Sequence, residues 1–147
     1  PEVILAGRRI NDGMGAHVVD RVTRLMMKRG FPVVGSRVLV MGLTFKENCP
    51  DLRNSRVVDV IRGLRDYNAS VDVWDPCVDP LEAHEEYDET VLAEIPRSGT
   101  YDAIVLAVSH REFADLGAAR IRAFGKRNAV LFDVKGMLAR DESDGRL

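Results

Sequence analysis

The sequence predicts an α/β fold, a doubly wound parallel sheet preceded by an amphipathic helix, and three observations predict it. Short apolar runs rich in β-branched residues recur at Arg37 to Met41 (RVLVM), Val71 to Trp74, Ala103 to Val108 (AIVLAV) and Ala129 to Phe132. Runs of this kind suit strands buried on both faces. Helically spaced apolar residues separate them, and alternation of strand and helix implies a parallel sheet covered on both sides. The third observation is the segment Gly42 to Ser55 (GLTFKENCPDLRNS), which follows the first run directly and leads into a helical pattern. It is therefore a crossover loop at the carboxyl end of a strand, where doubly wound sheets bind ligands.

The elements follow in order. With Asn11 or Asp12 as a cap, Met14, Val18, Val22, Leu25 and Met26 recur at spacings of three and four, interleaved with Asp20, Arg21, Arg24 and Lys28. That spacing predicts an amphipathic helix ending near Gly30. Standing alone, a helix over Asp12 to Arg29 would expose its apolar face, so burial against another domain or a second subunit is expected. Pro32 and Gly35 punctuate the chain, dividing a first segment, 1–33, from a main domain, 36–147.

After the crossover loop, Val57, Val58, Ile61 and Leu64 mark a helix, and the second strand ends at Asp75-Pro76. Leu81 to Tyr87 is acidic and reads as a short helix or loop, and Val91 marks a brief edge strand. His110 follows the AIVLAV strand. A weaker helical pattern covers Leu116 to Phe124, and the last strand precedes Asp133 and Lys135. The topology is Rossmann-like.

Composition narrows the function. In 147 residues, 46% are apolar and 30% charged, which suffices for one core with an extra segment rather than two full domains. A net charge of -2 with dispersed basic residues gives no footprint for nucleic acid or an anionic membrane. No run approaches the roughly 20 apolar residues of a membrane span, and the start does not resemble a signal peptide, so a cytoplasmic location is expected. Cys49 and Cys77 lack metal-ligand spacing and read as reduced thiols; no metal is expected. The chain opens on Pro1 without an initiator methionine, as a piece of a longer protein would.

The loop's chemistry favours an anion. A dinucleotide site would carry G-x-G-x-x-G, which lets backbone close on a pyrophosphate at a helix N-terminus; the loop has Gly42 alone. Asp75, ending the second strand, could imitate the ribose-binding acid of such a site. Lys46 supplies a mobile positive charge, Arg53 a rigid fork for phosphate or carboxylate, and Phe45 an apolar platform. Asp51, Asn54 and Ser55 can cap the following helix. The alternative is that Lys46 and Arg53 are solvated, Phe45 is core, and Asp51 and Asn54 only cap. Outside the loop, His110 is either a base at a strand end or a group bonded to backbone. Arg8 and Arg9 either contact substrate or a neighbouring subunit, or are solvated.

The runs AGRRINDGMG (Ala6 to Gly15), GLTFKENCPDLRNS and AVSHREF (Ala107 to Phe113) together resemble the C-terminal part of the UDP-glucose/GDP-mannose dehydrogenase family. KENCPDLRNS is most similar to bacterial members that oxidise UDP-N-acetylhexosamines for surface polysaccharides. The resemblance implies a two-step, NAD-dependent oxidation of a sugar C6 hydroxyl to a carboxylate. It also implies three parts: an NAD domain, a central helical dimerisation domain that ends within residues 1–33, and a nucleotide-sugar domain, 36–147. By the same resemblance, Phe45 and Lys46 line the UDP-sugar site with Lys135 and Arg9 nearby, and Arg53 reaches to the NAD bound by the N-terminal domain. The first helix would join a homodimer or higher oligomer. The family's nucleophilic cysteine falls in a Gly-rich segment expected before Pro1, so no catalytic residue is assigned here and Cys49 reads as packing. The alternative is a free-standing nucleotide-binding or regulatory module without catalysis. A receiver-like signalling domain would need more acids at strand ends than Asp75 and Asp133.

Overall fold

The RVLVM run forms β1 (Arg37–Met41), and its four inward residues, Val38 to Met41, are wholly buried. In the computed structural model, residues 2–147 are described, with side chains from residue 13 onward. α1 (Glu2–Lys28) leads to β1, followed by α2 (Val57–Asp66), β2 (Ser70–Trp74), α3 (Pro80–Tyr87), β3 (Tyr101–Leu106), α4 (Arg111–Ala123) and β4 (Gly125–Asp133). A 3-10 turn (Arg140–Glu142) and a short β5 (Gly145–Arg146) close the chain.

The described strands make one sheet in the order β2-β1-β3-β4-β5, and every pairing is parallel. Val40 pairs with Val73 on one side and Val105 on the other, and Val105 pairs with Phe132. The chain leaves β1 for β2 on one side and then crosses to β3 on the other. Adjacent connections thus diverge between β1 and β3, and a crevice opens there at the carboxyl ends of the strands.

One face of the sheet packs Val38, Val40, Val105 and Phe132 against Val18, Val22 and Met26 of α1 and Val57, Val58 and Ile61 of α2. The other packs Leu39, Met41, Ile104 and Leu131 against Phe113, Ile121 and Phe124 of α4 and its end. This is the double-sided layering expected of the fold.

Several boundaries differ from the sequence reading. α1 is already helical before Asn11 and Asp12, so neither residue begins it. Its apolar face does not await another domain, since Val18, Val22 and Met26 are fully buried on this domain's own sheet and on α2. Small residues permit the contact: a Cβ on Gly15 would meet Asp59 Cβ at 2.6 Å, and one on Gly63 would meet a Val19 methyl at 2.8 Å. α4 begins at Arg111, and Gly117 (φ 79°) kinks it, which weakens the periodicity of its first half. β4 begins at Gly125. Val91 forms a single bridge to Val73 rather than a strand. β5 was not expected; two residues leave no periodicity to read.

Candidate functional site

Gly42 follows β1 with φ 98°, a conformation open to glycine at little cost, and a Cβ there would lie 2.6 Å from Val108 Cβ. The β1 and β3 ends can therefore close together only because residue 42 lacks a side chain. Beyond them the loop is held from three directions. Asp75 Oδ2 accepts the Leu43 and Thr44 N–H groups at 2.7 and 3.2 Å. Ser55 donates to the Leu43 carbonyl at 2.5 Å and accepts the Val57 N–H at 3.3 Å. The Tyr87 hydroxyl of α3 donates to the Leu52 carbonyl and accepts the Ser55 N–H. Within the loop, the Phe45 N–H bonds the Asp51 carbonyl at 2.8 Å and Thr44 Oγ1 donates to the Lys46 carbonyl at 2.9 Å.

His110 and Asp75 lie at the base of this arrangement, with side chains wholly buried. His110 Nε2 is 2.9 Å from Asp75 Oδ2 and 3.2 Å from Thr44 Oγ1, while Nδ1 faces the Asn48 N–H at 3.0 Å. A backbone N–H can only donate, so Nδ1 is the acceptor and the ring proton sits on Nε2, pointing at Asp75. Burial pushes the Asp75 carboxyl up, but the bonds from His110, Leu43 and Cys77 outweigh it and hold the group below the usual carboxylate range. Both imidazole nitrogens are occupied. His110 is thus the backbone-bonded group, not an available base, and Asp75 does not face a ribose.

Asp75, Cys77 and His110 bring potential metal-ligand atoms within 4.8 Å of one another. Their chemistry is against a metal: Nδ1 and both Asp75 oxygens already accept N–H groups. Burial, with Asp75 and Glu112 nearby, pushes the Cys77 thiol up to about 11, so it stays protonated at neutral pH.

The crevice between β1 and β3 is a pocket of about 250 Å³, lined among others by Thr44, Phe45, Asn54, Arg56, Val108 and Lys135. Phe45 is 54% exposed, so it is not core. Phe45 and Lys135, far apart in sequence, meet here. Lys46 is exposed and lies outside the lining, and Arg53 borders a separate groove with Asp51, Glu82 and Glu86. Asp51 does not cap α2; it grips Arg53 through Nε and Nη2 at 3.1 and 3.2 Å. Their bond lowers the pKa of Asp51 and raises that of Arg53. Asn54 does not cap either and sits at φ 59°, which leaves Ser55 as the side chain bonded to the helix start. The side chain of Arg9 lies outside the described residues.

Sequence reasoning missed Thr44, Asn48, Arg56 and Tyr87. Asn48 offered one signal, because asparagine tolerates the left-handed φ of 56° that the loop needs there. Tyr87 offered none.

The described residues do not fit a dinucleotide: Gly42 stands without the further glycines, and Asp75 is buried and bonded to backbone. The family model of the UDP-glucose/GDP-mannose dehydrogenase family, UDP binding domain, matches residues 39–140. The chain belongs to this family. Among curated relatives it is 56% identical over all 147 residues to a UDP-N-acetyl-D-glucosamine 6-dehydrogenase of Pseudomonas aeruginosa, of which it covers 35%. It is 48% identical to the enzyme of the same name from Salmonella typhi, of which it covers 34%. The chain thus spans about a third of the length of these relatives. A solved UDP-N-acetyl-mannosamine dehydrogenase of Staphylococcus aureus superposes with a TM-score of 0.74 at 25% identity, over 99% of this chain and 33% of that one.

Proposed function

We propose that this chain is the nucleotide-sugar-binding part of an NAD-dependent UDP-sugar 6-dehydrogenase that oxidises a UDP-N-acetylhexosamine at C6 for polysaccharide synthesis. The observation that carries the proposal is the crevice itself. It lies at the topological switch point, within the stretch matched by the UDP-binding family model, and it combines an exposed aromatic ring with cationic and amide side chains. A ring such as Phe45 suits a planar base, and Lys135 suits a diphosphate. Lys46 is exposed on the same loop as Phe45, and its flexible stem would let it fold over a bound phosphate. The identity to UDP-N-acetyl-D-glucosamine 6-dehydrogenases supports the hexosamine class.

The residues described here bind and orient; none supplies a nucleophile. NAD and the reacting thiol belong to the remainder of the longer protein, with Arg53 directed across the domain boundary towards the dinucleotide. Its side chain is 81% exposed and held by Asp51, which supports a role at such a boundary. Residues 1–33 are the end of the central helical domain, through which the protein forms a homodimer or higher oligomer. The family match begins after α1, which supports this division. Arg9 would reach the substrate from that helix. The protein acts in the cytoplasm on a soluble nucleotide sugar.

The test is NADH formation by the full-length protein offered UDP-N-acetylglucosamine, UDP-N-acetylgalactosamine, UDP-N-acetylmannosamine and UDP-glucose. Turnover of an N-acetylhexosamine well above UDP-glucose is expected. Absence of turnover with every UDP-sugar would remove the proposal.

A further inference from the structure

We infer that His110 is the positioning residue of the nucleotide-sugar site: through its Nδ1 acceptor it latches Asn48 and so fixes the loop that presents Phe45 and Lys46. The inference rests on the reading of the crevice given above. His110 is wholly buried although it comes from β3's end and not from the loop, so it ties two elements of distant sequence together. The two sides of its ring do different work. Nε2 donates to Asp75, which also holds the Leu43 and Thr44 N–H groups at the root of the loop. Nδ1 accepts from Asn48 at 3.0 Å, at the loop's far turn.

Asn48 is held a second time, since its Oδ1 accepts the Arg111 N–H at 2.8 Å at the start of α4. Its φ of 56° commits the backbone to a turn that few side chains tolerate. Between the two anchored points, Thr44 and Asn48, lie Phe45, Lys46 and Glu47, all exposed and without a buried side chain to fix them. The hydrogen bonds beneath therefore set the direction in which Phe45 and Lys46 project. The Phe113 ring centroid lies 5.3 Å from that of the imidazole, and Cys77 Sγ lies 3.6 Å from Nδ1 beside the Asn48 contact.

A merely structural histidine and a positioning one can be separated by splitting the ring's two functions. The amide of His110→Gln can imitate Nε2 and keep a donor for Asp75, while losing the acceptor for Asn48. That of His110→Asn can imitate Nδ1 and keep the Asn48 acceptor, while leaving Asp75 short of a donor. In the full-length protein, hydrogen exchange of the peptide spanning Leu43 to Ser55 and steady-state kinetics with the UDP-sugar are measured on both.

The expected result for His110→Gln is faster exchange in this peptide with β1 and β3 unchanged. KM for the UDP-sugar should rise about three- to tenfold with kcat nearly constant, the size of one lost hydrogen bond. For His110→Asn the loop stays protected and the loss appears in Tm. Equal exchange and equal KM in His110→Gln and wild type would overturn the inference, as would parallel loss of Tm and loop protection in both variants. If the wild type turns over no UDP-sugar, the functional reading fails, and with it the KM arm; loop exchange then still decides whether His110 is the latch.

Discussion

The loop from Gly42 to Ser55 has two populations of side chains that behave oppositely. Thr44 and Ser55 are buried and hydrogen-bonded, and with Asp75, Tyr87 and His110 they hold the backbone. Phe45, Lys46 and Arg53 are exposed, and their side chains make no hydrogen bond to the buried groups beneath them. The difference teaches that a binding motif is partly scaffold. The groups that contact a ligand need freedom and charge, whereas those that aim them need burial and complete hydrogen bonding.

Breaking the scaffold should have the largest effect. Asp75→Ala would orphan the N–H groups of Leu43, Thr44 and Cys77 together with His110 Nε2. A loss of about 3–5 kcal/mol is expected, read from denaturant unfolding; a loss under about 1 kcal/mol would mean the network is dispensable. Gly42→Val comes next. It combines a left-handed φ with a Cβ only 2.6 Å from Val108 Cβ, for about 2–4 kcal/mol by the same measurement.

Breaking the exposed population should spare the fold. Lys46→Ala in the full-length protein should leave Tm unchanged and lower kcat/KM for the UDP-sugar about ten- to a hundredfold, the cost of one charged phosphate contact. An unchanged kcat/KM would remove Lys46 from the site.

Acid sharpens the same contrast. Asp75 is held below its ordinary range by the donors around it, which outweigh its burial. For Asp144 burial is likewise outweighed, by the Leu131 N–H and by Arg122 and Arg29. Folded-state values below the unfolded ones mean that this stability is complete above the ordinary carboxylate value of about 3.9 and disappears as pH falls through the lower folded values. Tm should therefore decline steeply below about pH 4, and Asp144→Asn should flatten that decline. The smallest effect is expected for Asp51→Asn. Its partner Arg53 is exposed, so Tm should not move, while KM for NAD in the full-length protein should rise.

The parts of this design that were legible in the sequence are those with a period or a spacing. β1 was legible because four of its five positions, Val38 to Met41, form one apolar run behind Arg37, and α2 because Val57, Val58, Ile61 and Leu64 repeat at helical intervals. α4 was half hidden, since Gly117 interrupts its pattern. The crevice was legible as a place, because a ligand-rich loop followed a buried strand. Its construction was not. That His110 would bond Asn48, or Tyr87 the Leu52 carbonyl, depends on contacts between residues 62 and 35 positions apart. No local propensity encodes such a distance. Asp51 misled for a related reason: its position suited a helix cap, but Arg53 two residues away competes for the same oxygens.

The most direct test of the account compares two concavities at opposite ends of the sheet. One is the crevice with Lys135, and the other is a groove of about 610 Å³ at the amino ends of the strands, lined by Arg37, Arg97 and Tyr101. UDP binding to the full-length protein, measured by titration calorimetry, should weaken about tenfold or more in Lys135→Ala and remain at the wild-type value in Arg37→Ala. Equal affinity in wild type and Lys135→Ala, or loss in Arg37→Ala alone, would contradict the placement of the nucleotide between β1 and β3.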